Sequence, residues 1–257
     1  MAQRRQQLEQ TMAALEARYG AGVVRRAASL RPQVPHLSTG FPQLDALTGC
    51  GGVPLGRTTI LSGQTTSGKL TVAFKALVAA QSDPRSLVAL LDCNHTADPD
   101  YLARAGLDLA RLLIARPRLT PQVVDLLLDL ARSRKVRALL VNGLADLQSQ
   151  PPIYRRLCSH LSHLHVALRA GHCALIWIDE PSPAWLRWFN WDRSSPVRQW
   201  AALHLDLRRE TWLTQEDGAL CGYEAQARLL KSRWTRSGKT ASVAITFNGV
   251  VKARATW

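Results

Sequence analysis

The 257-residue sequence contains no run of 18 or so uncharged apolar residues, and its first fifteen residues are polar and charged with no apolar signal core. No membrane partner is therefore expected, and the expected location is cytoplasmic. Cysteine is sparse: Cys50, Cys93, Cys158, Cys173 and Cys221 are odd in number, scattered, and never spaced Cys-x-x-Cys. That pattern argues against a disulfide framework and against a zinc site, leaving reduced and mostly buried thiols. Acid is in short supply too. Nineteen Asp and Glu face 33 Lys and Arg, giving a net charge of +14 and a pI near 10.5. Such a balance favours a polyanionic partner through counterion release, nucleic acid being the commonest, although solubility or a GC-rich genome's preference for arginine gives the same charge. There is no internal repeat and no low-complexity segment. What is present is 46% hydrophobic content, enough for a sizeable core.

The stretch on which the chain is organised is Leu61 to Thr71, Leu-Ser-Gly-Gln-Thr-Thr-Ser-Gly-Lys-Leu-Thr. The apolar run ending at Leu61 reads as a buried strand and Leu70 to Ala80 as a helix, so Gly63, Gln64, Thr65, Thr66, Ser67, Gly68 and Lys69 form the turn between them. A strand-to-helix turn aims backbone N–H groups and a helix N-terminus at an anion, and Lys69 can reach a terminal phosphate. Gly-x-x-x-x-Gly-Lys is complete. The Ser or Thr that should follow the lysine to hold magnesium is Leu70, and Thr71 comes one residue late, turned by about 100° on a helix. By spacing alone the turn cradles phosphate and holds metal poorly; a glycine-rich turn of no function is the bland alternative.

Strand-like runs at Thr58 to Leu61, Leu87 to Leu91, Ala138 to Val141 and Ala174 to Ile178 alternate with helical stretches at Leu70 to Ala80, Pro99 to Ala105, Pro121 to Ser133 and Tyr154 to Arg169. The alternation predicts an α/β fold, a mainly parallel sheet with helices on both faces and ligands at the carboxyl ends of the strands. Asp92, Asn142 and Asp179 close three of these strands and are expected to point toward the phosphate turn. Beyond Trp200, alternations at Ala202 to Arg208, Ala225 to Leu230 and Ser242 to Phe247 predict antiparallel strands extending the sheet, with turns at 216–218, 237–238 and 248–249. At the other end, Leu8, Met12, Leu15 and Tyr19 give an amphipathic helix, and Arg31 to Pro35 reads as a linker. The expected division is residues 1–35, a helical arm that packs on its own domain or docks on a neighbouring subunit, and residues 36–257, the core.

With these pieces in order the chain resembles the RecA family of bacterial recombinases over nearly its whole length. The resemblance rests on Leu15 to Gly22, Leu37-Ser38-Thr39-Gly40, Leu44-Asp45, Gly51 to Arg57, the phosphate loop, Leu91 to His95 with Asp98-Pro99-Asp100-Tyr101, Leu205 to Arg209 and Leu230 to Arg233. It implies a RecA-like P-loop core behind an amino-terminal helix, without the family's large carboxyl-terminal domain, since the sequence stops at Trp257. It implies ATP held by Gly63 to Thr71, adenine held by Asp98 and Tyr101, and Lys231 and Arg233 reaching a neighbour's nucleotide in a filament; a solvated basic strand edge is the alternative for that pair.

Departures concentrate at the chemistry. Family hydrolysis needs a metal ligand, a water-activating carboxylate and a strand-closing Asp, and these positions hold Leu70, Asn94 and Asn142. Asparagine takes no proton from water at neutral pH and lacks the charge that anchors a magnesium shell. Loss of a general base commonly costs about 10² to 10⁴ in rate, so the expectation is a silent ATPase with a structural ATP, magnesium left open.

In the family two loops bind single-stranded DNA. The first corresponds to Gln148 to Tyr154, with Arg155 and Arg156 behind it. At the second lies Pro181 to Arg198, with Trp185, Arg187, Trp188, Phe189, Trp191, Arg193 and Arg198 but no glycine. Aromatics among arginines suit base stacking along a phosphate groove, a protein interface, or a helix face packed on the core. His160, His163 and His165 lack the carboxylate or cysteine that would complete a metal site, and read as a basic or partly buried helix face.

Three functions remain open at this stage. One is a DNA recombination or repair protein that binds nucleotide and single-stranded DNA with impaired hydrolysis, joining copies of itself or a recombinase filament as regulator or mediator. Another is a protein-interaction accessory subunit in DNA damage tolerance. The last is an active DNA-dependent ATPase with a rearranged site using Asp92 or Glu180.

Overall fold

The computed structural model describes residues 2–24, 34–180, 195–214 and 219–247. The chain divides into two compact units, Met1–Gln33 and Val34–Trp257. In the first, α1 (Ala2–Tyr19) carries Leu8, Met12, Leu15 and Tyr19 at helical spacing and ends at Gly20, whose positive φ of 104° suits a residue with no Cβ.

The second unit opens with β1 (His36–Leu37), paired antiparallel to β2 (Val53–Pro54), with α2 (Pro42–Thr48) between them. Asp45 pins this lead-in: Oδ1 accepts from the Thr39 N–H (2.8 Å) and Thr39 Oγ1 (2.6 Å), and Oδ2 from Ser38 Oγ (2.6 Å). Then come β3 (Thr58–Gly63), α3 (Lys69–Ala80), β4 (Leu87–Asp92), α4 (Pro99–Arg104), β5 (Leu112–Ala115), α5 (Gln122–Arg132), β6 (Val136–Asn142), α6 (Leu144–Ser149), α7 (Pro151–Gly171) and β7 (Ala174–Asp179). They are followed by α8 (Pro196–Trp200), β8 (Leu203–Thr214), β9 (Leu220–Ser232) and β10 (Thr240–Thr246).

One eight-stranded sheet has the order β10-β9-β8-β3-β7-β6-β4-β5. From β8 to β5 every pairing is parallel, and β9 and β10 extend the sheet antiparallel. Successive strand residues face opposite sides, so the buried runs feed two cores. Leu61, Leu90, Leu140, Ile176 and Leu205 pack toward α3, whereas Ile60, Leu139, Leu175 and the fully buried Trp177 pack toward α5 and α7. An α/β architecture with a mainly parallel sheet, an antiparallel extension and an amino-terminal helix is what the sequence predicts.

The details differ in several places. β5 was not expected from the sequence, nor were β1 and β2. β8 and β9 run well past the alternations at 202–208 and 225–230, and residues 208–212 are exposed, so this pair extends beyond the packed sheet as a ribbon. The expected turns at 216–218 and 248–249 lie outside the described residues.

Candidate nucleotide site

β3 is buried along its whole length and delivers Gly63 at its carboxyl end. A side chain at Gly63 would run into the carbonyl oxygen of Leu207, and one at Gly68 (φ 90°) into Ile245 Cδ1. The cradle therefore requires both glycines. Thr66, at φ 60°, holds a left-handed conformation that β-branched residues rarely adopt, so the turn stores local strain. Ser67 Oγ is buried in the same turn with no hydrogen-bond partner among the described residues. Glycines that a Cβ would displace and an orphaned hydroxyl both fit a site for a phosphate ligand.

Lys69 is 5% exposed. Its Nζ donates to the Gly63 carbonyl at 2.8 Å, to that of Gln64 at 3.2 Å and to Glu180 Oε1 at 2.9 Å. Glu180 follows directly on β7, so the parallel pairing of β3 with β7 brings it across from the loop. Sequence reasoning noted this acid nearby but did not foresee that it occupies the phosphate-seeking lysine.

The cavity at the loop has a volume of about 480 Å³ and brings together residues 65–71, Asn94, Tyr101, Asn142 and Glu180. That size suits a drug-sized or nucleotide-sized ligand. Tyr101 meets Phe74 edge-on at 5.9 Å and is positioned by α4, whose first turn is capped by Asp98 Oδ1 accepting from the Asp100 N–H (2.9 Å). Asp98 is not among the residues lining the cavity. Its visible work is to set the helix that carries Tyr101.

At the positions of the missing acids, Asn142 Nδ2 donates to Asn94 Oδ1 and to Thr96 Oγ1, both at 3.0 Å, and Thr96 Oγ1 donates to Asn94 Oδ1 at 2.8 Å. This network is neutral. Leu70 packs its side chain against the core. Among the described residues Glu180, already paired with Lys69, is the one carboxylate lining the cavity, and with Leu70, Asn94 and Asn142 at the other positions the residues present do not fit a magnesium ion.

Two of the three strand-closing residues do not point at the phosphate turn. Asn142 does. Asp92 lies on the α3 face but is fully buried, accepting from the N–H groups of Thr96 (3.2 Å) and Ala97 (3.0 Å) and from Arg116 Nε (3.2 Å). Asp179 is in phase with Trp177 and so faces the α7 side, where Arg198 Nη2 reaches its Oδ2 at 2.6 Å. β6 pairs Asn142 with Ile178, which leaves Asp179 one step on and reversed in face.

Sequence reasoning also missed an aromatic wall. Trp212, Tyr223 and Phe247 line the cavity with ring centroids 5.9 to 6.4 Å apart. Of the three only Phe247 fell within an expected strand; Trp212 and Tyr223 lie on the parts of β8 and β9 that run past the expected alternations.

Lys231 and Arg233 are not part of this cavity. β9 runs antiparallel to β8, so its last residues pair with the start of β8, at the opposite end of the sheet from the loop. There Lys231 Nζ donates to the carbonyls of Arg198 (3.2 Å) and Gln199 (2.6 Å). Burial, helped by nearby Arg233, holds its pKa below the usual lysine value. Arg57 Nη1 lies 3.4 Å from His165 Nε2, whose ring meets Trp200 at 5.8 Å. Partial burial and then the charges of Arg57, Arg233 and Arg169 depress the His165 pKa.

Of the residues expected to face DNA, Trp185, Arg187, Trp188, Trp191 and Arg193 lie outside the described residues. The expected first loop is helical: α6 and α7 are separated only by Gln150, because Pro151 and Pro152 open α7, where proline is pre-organised. Arg156 pairs with Asp125 at 2.8 Å and Arg198 with Asp179, while Arg155 is exposed and has no carboxylate partner among the described residues.

Residues 6–171 match the RecA N-terminal domain. The chain belongs to the RecA family. Its relatives include the RecA protein of Kineococcus radiotolerans, 32% identical over 66% of this chain and 47% of that protein. The RecA proteins of Clostridium perfringens and Aquifex aeolicus are 28% and 29% identical over 94% and 91% of the chain and 73% and 72% of theirs. The chain thus spans under half of the Kineococcus RecA and about three quarters of the other two. No helix among the described residues is long and apolar enough to cross a membrane.

Proposed function

We propose that this chain is a RecA-family DNA recombination or repair protein that holds ATP at residues 63–71 and hydrolyses it poorly. The observation that carries the reading is the pairing of an intact cradle, Gly63 to Lys69, with the neutral Asn94–Asn142–Thr96 network where carboxylates would activate water. In this reading ATP brings its triphosphate to Lys69 and the loop amides and its base to Tyr101, and acts as a structural ligand. Magnesium has no place in the mechanism, because the donor set does not fit it. The role is that of a regulator or mediator acting on single-stranded DNA or within a filament of this chain or of a recombinase. Lys231 and Arg233, at the far end of the sheet, would meet the nucleotide of the neighbour. The net charge of +14 supports a polyanionic partner. Fluorescence titration of a labelled single strand at increasing salt tests the DNA part: a steep fall of affinity with salt is expected, and salt-independent or absent binding would exclude it.

A second reading, a protein-interaction subunit in DNA damage tolerance, is favoured by the internal pairing of Arg156 and Arg198, which removes two cations from any DNA groove. Absent DNA binding would turn the account to it. The rearranged active ATPase now rests on Glu180 alone, since Asp92 is buried and fully engaged.

A further inference from the structure

The cavity lacks an anionic metal shell, yet it is asked to hold a triphosphate, so some other cation must offset that charge. Lys69 supplies one. A second stands at the rim. Arg209, on the projecting part of β8, donates from Nη1 to Thr66 Oγ1 at 2.8 Å, and its guanidinium carbon lies 4.2 Å from the centre of the Trp212 ring. Thr66 and Trp212, its two anchors, both line the cavity. The guanidinium is thus fixed in position from two sides, by a hydrogen bond to the apex of the turn and by cation–π contact. Among the described residues no carboxylate pairs with it, and of its five N–H donors only the one to Thr66 has a partner among them. A planar, permanently charged fork with spare donors suits phosphate oxygens.

We propose that Arg209 supplies the counter-charge that a magnesium ion supplies at a complete site of this kind, so that the cavity takes a nucleoside polyphosphate without metal. The inference rests on the nucleotide reading above and adds the residue and the metal independence. Trp212 acts as a positioning residue, stacking the guanidinium so that it stays over the loop. The neutral asparagine network fits this arrangement, because carboxylates in its place would compete for Arg209 when no metal is bound.

The test is calorimetric titration of ATP into the full chain, in EDTA and in magnesium, for the wild type, Arg209→Ala, Arg209→Lys and Trp212→Leu, with a thermal melt of each. Wild-type affinity is expected to agree within about twofold in the two buffers, and Arg209→Ala to weaken binding about tenfold or more in EDTA. Arg209→Lys should recover part of that loss, and Trp212→Leu should give an intermediate loss. Wild-type binding that requires magnesium overturns this inference and leaves the nucleotide reading standing. Unchanged affinity in Arg209→Ala overturns it as well. Absence of ATP binding in both buffers overturns both.

Discussion

Glu180→Gln should tighten ATP binding, against the usual expectation for a mutation at a charged residue in a binding site. In the protein without nucleotide, Lys69 Nζ is 2.9 Å from Glu180 Oε1, and the side chains are 6% and 59% exposed. An incoming phosphate has to displace that carboxylate and then share the cavity with it. The pair is open to water on the glutamate side, so it is worth only about 1 kcal/mol, well under the value for a buried pair. Repulsion between the displaced carboxylate and the phosphate, screened on the exposed side, adds about another 1 kcal/mol at most. Glutamine keeps the shape and removes both penalties. The expected gain is therefore about 1 to 2 kcal/mol, or roughly five- to thirtyfold in Kd. Lys69 retains the Gly63 and Gln64 carbonyls, so the cost to stability is below about 1 kcal/mol. Equilibrium titration of ATP against wild type and variant, with urea unfolding of each, reads both quantities. Unchanged or weaker binding in Glu180→Gln would show that the carboxylate is not the phosphate's competitor, and would return Glu180 to consideration as a group that assists turnover.

Gly68→Ala should abolish nucleotide binding and lower the melting temperature, because a methyl group there meets Ile245 Cδ1 at a φ of 90°; a variant that melts and binds like wild type would refute the cradle geometry. Trp177→Ala should cost about 3 to 5 kcal/mol by urea unfolding, since the ring, carried by β7, is fully buried in the core toward α5 and α7. Trp177→Phe should cost far less, because the indole Nε1 is buried with no partner among the described residues and its loss is no penalty. The depressed pKa of His165 means that the unfolded chain takes up a proton more readily there, so its contribution is intact above about pH 6.5 and is lost as pH falls toward the folded value. His165→Gln should flatten the fall in melting temperature between neutral and mildly acid pH, and an unaltered slope would exclude the histidine as its source.

What the sequence made legible was local. Gly63 to Lys69 sits between a buried apolar run and a helix, so strand, turn and helix could be read from eleven consecutive residues, whereas Tyr101 came only from the family resemblance. The charge partnerships were not legible, because Lys69 and Glu180 lie 111 residues apart and Asp125 and Arg156 lie 31 apart. Only sheet order and helix packing bring them together. Asp179 illustrates the limit of reading strand ends: its place at the end of a strand was foreseeable, but its face depended on a one-residue register difference between β6 and β7. Gln148 to Tyr154 was expected as a loop by its correspondence with the family's first DNA-binding loop, but its two prolines begin α7. Trp212 became part of the site only because β8 extends seven residues beyond Leu207, past the reach of any local pattern.

The central claim is an ATP cradle without turnover, and the direct measurement is ATP binding and hydrolysis by the purified protein, with and without single-stranded DNA, beside Lys69→Ala. The account predicts binding that the Lys69 variant loses and no turnover in either condition. DNA-stimulated hydrolysis abolished by the same substitution would contradict it.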